Sequence, residues 1–238
     1  SKEVLRAIIA RKYADDVRFW AYCQPKPFDE EYAYLLAKAN VTGVNFGIDH
    51  TDPEMLRSLG KWYTKEDISN STKLCQKYGI AVNHEFLFGY PGDTPEKMFR
   101  AIDFVMKLDA WAMGIVVGLA VLPGTRLARI YQSKVESGES LDGFYISGEP
   151  LTDPTFFVDP SFEIPEIFSQ VKGHVGSDIR RIMVPQSNST ASENNQLVGS
   201  ERIKKDLRKG KRGAYWYHYP SSHTAVISQQ ERLLEKVI

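Results

Sequence analysis

Three apolar runs in this chain each end in a glycine-bearing turn and lead into a helical pattern, and that rhythm narrows the fold more than any other feature. Val41 to Gly47 (VTGVNFG), Ile80 to Phe88 (IAVNHEFLF) and Met113 to Val121 (MGIVVGLAV) are short and bounded by breakers, as strands are. A fourth run, Asp16 to Tyr22 (DVRFWAY), precedes a helical pattern from Phe28 to Asn40, in which Tyr32, Leu35, Leu36 and Ala39 recur at helical spacing. Strands joined by long helical crossovers must pair in parallel. The expected class is therefore α/β, a partial parallel (β/α) barrel over residues 1–137, with a flavodoxin-like open sheet as the alternative. In a barrel, the chemistry gathers where the strands end.

Helix boundaries carry their own signals. Pro53 suits a first turn, and Thr64 opens TKED with Asp67 at the capping-box position. Gly79 reads as a stop, Thr94 as the cap of a helix from Pro95 to Leu108, and the turn Leu122 to Thr125 leads into a helix from Arg126 to Ser137. The near-continuous apolar character of Met113 to Val121 predicts one strand buried on both faces. After Gly138 the rhythm stops. Residues 138–185 read as an irregular and helical extension packed on the barrel, with helices from Ile164 to Gly173 and around Ser177 to Met183. Residues 186–200 read as an exposed loop, and 201–238 as a basic and aromatic segment closing in a helix, which together give a C-terminal α+β extension.

Thirty basic side chains balance thirty acidic ones, so no net field recruits nucleic acid or an anionic membrane. Lys204, Lys205, Arg208, Lys209, Lys211 and Arg212 precede Tyr215, Trp216, Tyr217 and Tyr219. Such interleaving can grip single strands, but a solvated helix before a packed aromatic strand is the preferred reading. Ser1 to Tyr13 reads as a charged amphipathic helix rather than a signal peptide, and the expectation is a cytoplasmic protein with no membrane partner. Cys23 and Cys75 are the two cysteines, too far apart for a local metal motif. His50 and His84 beside Asp49 and Glu85 match no familiar ligand spacing, so no metal residue is assigned.

Three strand ends carry a resemblance. VTGVNFGIDHTDPEMLRSLGKWYTKEDI resembles the fourth barrel strand and helix of radical S-adenosylmethionine (radical SAM) enzymes, with Asp49 and His50 as the polar pair at the strand end. FLFGYPGDTPE resembles the fifth-strand motif I-x-G-x-P-G-E-T, with Leu87, Gly89, Pro91, Gly92, Asp93 and Thr94 at matching positions, and GLAVLPGTRLAR resembles the sixth strand and its Pro-Gly-Thr turn. VRFWAYCQPKPFDEEYAYLLAKANVTGV resembles the third strand and helix, where Arg18 and Tyr22 would face the interior. The flavour is that of the group whose members carry a cobalamin-binding domain, many of them methyltransferases.

The resemblance implies S-adenosylmethionine and a [4Fe–4S] cluster as cofactors, with cobalamin a further option, and a small-molecule substrate. It implies cofactor contacts at Asp49, His50, Glu85, Leu87, Gly89, Gly92, Leu122 and Pro123: carboxylates for ribose hydroxyls or an amino group, and backbone near Leu87 and Leu122 for adenine. Such a cluster needs three closely spaced cysteines, and this chain has no such triplet. The expectation is a piece covering strands three to six of the barrel, inactive alone. Its first strand would lack a neighbour, and Phe19, Phe46 and Phe88, if inward-facing, would drive formation of a homodimer. Two rival readings remain: a cluster-free α/β enzyme using Asp49, His50 or Glu85 as acid and base, and a nucleic-acid-binding module over 204–219.

Overall fold

The structure, a computed structural model, describes residues 1–145, 155–176, 182–183 and 208. Strands β1 (Phe19–Cys23), β2 (Val41–Asp49), β3 (Ala81–Phe88) and β4 (Ala112–Val117) lie side by side in that order, all parallel. Helices α1 (Lys2–Ala10) and α2 (Tyr13–Asp16) precede them, and α3 (Glu30–Lys38), α4 (Pro53–Ser58), α5 (Lys65–Lys77) and α6 (Pro95–Met106) form the crossovers. This is the expected α/β barrel segment. No helix among the described residues is long and apolar enough to cross a membrane.

The caps fall where the side chains dictate. Asp29 accepts from the Tyr32 amide to start α3, Asp52 from Glu54 and Met55 to start α4, and Thr94 from Lys97 to start α6. Thr64 and Asp67 complete a reciprocal capping box, which satisfies two of the amide donors that a helix start leaves open. Gly79 leaves α5 at φ 69°, the left-handed conformation that glycine adopts without strain.

The sheet has two unlike faces. Val44, Phe46, Ile48, Val82, Phe86, Phe88, Met113 and Ile115 are buried under the helices, where Ile68, Met98, Ile102 and Val105 complete the core. Phe46 meets Phe28 edge-on at 5.3 Å, and Phe86 stacks on Phe88 at 4.9 Å. Each buried ring removes enough apolar surface to contribute about 1.5–3 kcal/mol. This corrects the inward placement of Phe46 and Phe88: both are 0% exposed on the helix side, and they offer no apolar surface for self-association. Phe19 is half-buried against the same core.

Other expectations shift at element ends. Asp16 closes α2, and β1 begins only at Phe19. The single strand expected over 113–121 is two: β4 ends at Val117, Gly118 turns at φ 102°, and β5 (Leu119–Ala120) joins a second sheet. A Cβ at Gly118 would come within 3.0 Å of Val158, so the break is held by close packing as well as backbone. Nor is that run buried on both faces, since Val116 is exposed. Helix α7 (Arg126–Ser137) matches its expected bounds, and Gly138 closes it in the left-handed region.

In the extension, β6 (Phe144–Tyr145) and β7 (Phe156–Phe157) pair antiparallel, and β7 also pairs with β5. Helix α8 (Ile164–Val175) buries Ile167, Val171 and Val175 in the main core. Residues 182–183, expected as helix, are instead β8 (Ile182–Met183), parallel to β4. The loop expected over 186–200, the helix near 228–238 and, Arg208 apart, the basic and aromatic segment lie outside the described residues.

Candidate functional site

Strand alternation sends Tyr22, Asn45, Asn83, Glu85, Gly47 and Gly114 to the face opposite the helices. The register aligns Tyr22, Asn45 and Asn83 in one row across β1, β2 and β3, and Gly47, Glu85 and Gly114 in the next row toward the strand ends. Glu85 folds back onto the first row: its Oε1 accepts from Asn45 Nδ2 at 2.7 Å and from Asn83 Nδ2 at 3.3 Å. Tyr22 hydrogen-bonds Asn45, and partial desolvation, then the nearby Glu85 carboxylate, raise its phenol pKa. Asn83 Oδ1 is buried without a hydrogen-bond partner. Beside Glu85, a Cβ on Gly47 would meet Asp49 Oδ1 at 3.9 Å, an ordinary van der Waals separation.

Asp49 sits at the end of β2 with φ 53°, a conformation that costs a residue with a side chain about 1 kcal/mol or more. Its carboxylate pairs with Lys61 at 2.7 Å, both groups about a quarter exposed. Tyr63 donates to the carbonyls of Gly47 and Ile48 at 3.0 and 3.1 Å, and its phenol pKa is pushed far up, first by burial and then by Asp49.

His50 is committed elsewhere. Its Nδ1 accepts from the Thr51 and Asp52 amides at 2.9 and 2.8 Å, which leaves Nε2 to donate to Asp93 Oδ1 at 3.2 Å. Asp93 in turn accepts from the Gly89 amide at 2.9 Å and the Thr94 amide at 2.8 Å. The pair is 1% exposed or less and clasps the end of β2 to the turn after β3. With both ring nitrogens engaged, His50 is not placed to exchange protons with a ligand.

The same turn is stitched to the extension. Gly92 donates to Asp159 Oδ2 at 2.8 Å, while the Asp159 amide donates back to the Gly89 carbonyl at 2.9 Å. The turn amides at Gly89 and Gly92 are thus taken by Asp93 and Asp159. A Cβ at Gly89 would come within 3.1 Å of Val158, and φ is 84° there, so close packing already explains that glycine. Leu87 is half-buried on the open face, and Leu122 and Pro123 are exposed, the Leu122 carbonyl accepting from Thr125 Oγ1 at 2.7 Å.

His84 belongs to the other face. Thr72 gives its hydroxyl proton to Ile68, so His84 Nε2 donates to Thr72 Oγ1 at 3.0 Å, and the ring stacks on Phe46 at 5.7 Å. Full burial pulls its pKa down to about 3. The sheet therefore separates His84 from Glu85 and Asp49. Among the described residues, no group of three or more His, Cys, Asp or Glu is placed to hold a metal ion.

Of the residues singled out from the sequence, Asp49, Glu85 and Leu87 share the face opposite the helices, whereas Asn45, Asn83, Lys61 and Tyr63 were not singled out. The signal for the asparagines was there: VTGVN and AVN each put an asparagine inside an otherwise apolar strand, where an amide needs a partner.

A family profile described as the radical SAM superfamily matches residues 2–105. Tryptophan 2-C-methyltransferase of Streptomyces laurentii is 32% identical over 271 aligned positions, which take in 92% of this chain and 45% of that protein. The radical SAM methyltransferase TsrM of Kitasatospora setae, solved with its tryptophan substrate and the SAM analogue aza-SAM, superposes with a TM-score of 0.79 at 27% identity, over 97% of this chain and 50% of that one. Its structure with cobalamin and a [4Fe–4S] cluster superposes at 0.76 and 27% identity, over 99% and 48%. The chain spans about half the length of the relatives it matches. Parallel strands, strand-end motifs and these matches together give the chain the likeness of the radical SAM superfamily, whose profile spans residues 2–105.

Proposed function

We propose that this chain supplies the strand ends that bind cofactor and substrate in a cobalamin-dependent radical SAM methyltransferase acting on a small aromatic molecule. The observation that carries the reading is the match along 92% of the chain to a tryptophan 2-C-methyltransferase. The open face supports it. Glu85 pairs in register with the side-chain-free Gly47, with Asp49 two residues on, an arrangement that would let a flat nucleoside approach the sheet near carboxylate acceptors for its hydroxyls. In this reading Asp49, oriented by Lys61, takes the ribose hydroxyls, and Leu87 and the Leu122 to Pro123 turn border the adenine. Gly89 and Gly92 shape the turn without giving it their amides. His50 acts through Asp93 by fixing the two loops at these strand ends. Bound S-adenosylmethionine would supply the group-transfer chemistry, and the residues here bind and orient it.

The two cysteines do not fit an iron–sulfur cluster. Cys75 is buried in the core, and burial pushes its thiol pKa far up. Cys23 is half-buried near Tyr32, and its pKa is raised mainly by burial. Thiolates are what a cluster needs, so in this reading its ligands come from residues other than these, and the chain alone is inactive.

Photoaffinity labelling with an azidoadenine analogue of S-adenosylmethionine, mapped by mass spectrometry, tests the placement without requiring turnover. Labels within 47–50, 85–92 and 119–123 are expected. Saturable labelling confined to other peptides, or none that unlabelled S-adenosylmethionine competes away, would overturn the reading.

A further inference from the structure

The polar row across β1, β2 and β3 has a chemistry of its own. Tyr22, Asn45, Glu85 and Asn83 form one connected set across three strands: Asn45 and Asn83 both donate to the Glu85 carboxylate, and Asn45 also bonds Tyr22. Both asparagines spend Nδ2 donors on Glu85, which fixes the direction of their carbonyls. Asn83 Oδ1 then stands as a bare acceptor, although Asn83 is 0% exposed. Buried acceptors are rarely left so, and a bare one beside a held carboxylate marks a place for a donor with positive charge. Next to this row, β1 presents Trp20 and Tyr22 on the same face, 46% and 67% exposed. The two rings stand two residues apart on one strand face, beside the polar row, where they offer one continuous aromatic surface.

We propose that Glu85 and Asn83 form a recognition point for the primary ammonium of an aromatic amine substrate, with Trp20 and Tyr22 as the surface on which its ring lies. The carboxylate neutralises the charge, Asn83 Oδ1 takes an N–H, and Asn45 is a positioning residue that holds Glu85 in place. The rings add cation–π and stacking attraction. This rests on reading the open face as the substrate chamber, and it goes further by assigning the substrate's charge and the residues that read it.

The cofactor also carries an ammonium, so the experiment must separate the two sources. Binding of tryptamine, of its neutral counterpart tryptophol and of S-adenosylhomocysteine to the full 238-residue chain would be measured by ligand-observed NMR titration. Tryptamine should bind at least tenfold more tightly than tryptophol. Glu85→Gln, which keeps the volume, should erase that preference, and Asn83→Leu should reduce it severalfold. S-adenosylhomocysteine affinity, measured in parallel, should fall less in both variants than the tryptamine preference does. The tryptamine to tryptophol ratio in the unmodified chain needs no variant to fold, and a ratio near one would overturn the proposal. So would loss of S-adenosylhomocysteine binding with the tryptamine preference intact, which would give the ammonium point to the cofactor. Correct photolabelling together with a ratio near one would leave the functional reading standing and remove this inference alone.

Discussion

The two faces of one sheet follow opposite rules. On the helix side, Phe46, Ile48, Phe86 and Phe88 are sealed at 2% exposure or less, and the one polar ring among them, His84, is held neutral by burial. On the opposite side, the strands present Asn45, Asn83 and Glu85 in a bonded set, a side-chain-free position at Gly47, and exposed rings at Trp20 and Tyr22. The difference teaches that apolar packing and bonded polar groups are divided here by strand parity. Even positions of β2 and β3 hold the fold together, and odd positions toward the strand ends carry polar groups that packing alone would not select, as the proposed site requires.

Truncation is the hardest test of that division. Phe46→Ala removes a ring enclosed by Phe28, His84 and the core, and is expected to cost about 3–5 kcal/mol in urea unfolding. Tyr22→Ala, on the open face, should cost under about 1 kcal/mol, because little of its surface is removed from water. Equal losses would show that the open face is as much a core as the other.

Protonation gives a second, smaller contrast. The folded pKa of His84, about 3, lies below its ordinary value of 6.5. Between those values the unfolded chain binds a proton that the folded chain refuses. Stability therefore rises with pH through this window and is lost as pH falls, by at most about 1.4 kcal/mol per pH unit from this group. In His84→Leu, Thr72 keeps its bond to Ile68, and the slope should flatten by that amount between pH 6 and 4. An unchanged slope in urea melts across that range would show that the ring is reached by water.

Much of the scaffold was legible because its signals are local. Thr64 with Asp67, Thr94 before Pro95, and Gly79 and Gly138 each act within one turn, and each falls in the structure where the sequence put it. What was not legible depends on which way a strand faces. Phe46 and Asn45 are adjacent and both fit a strand, and only the packing of the helices decides which is buried. In a fully apolar parallel strand the period of two leaves no mark. Gly118 was hidden for a related reason, since GIVVGLAV reads as one run until Val158, 40 residues later, requires the break. His50 looked like a reactive group at a strand end. Its partner Asp93 lies in another motif, and nothing in the spacing joins the two before the chain folds.

Asp49 crosses the division, because the proposed site includes it by position and it strains the backbone that carries it. At φ 53° an aspartate is held where glycine is at ease. Asp49→Gly should release that strain while losing the partly exposed pair with Lys61, which contributes little in water. Two small terms of opposite sign predict a net change in stability within about 1 kcal/mol. Without the carboxylate, however, the ribose has no acceptor at this strand end, and photolabelling by the azidoadenine analogue should fall severalfold at constant concentration. Asp49→Asn is the control, since it keeps an acceptor but not the ion pair, and its labelling should lie between the other two. A large stability loss in Asp49→Gly would mean that Asp49 and Lys61 serve the fold, and undiminished labelling would mean that the strand end of β2 does not face the cofactor.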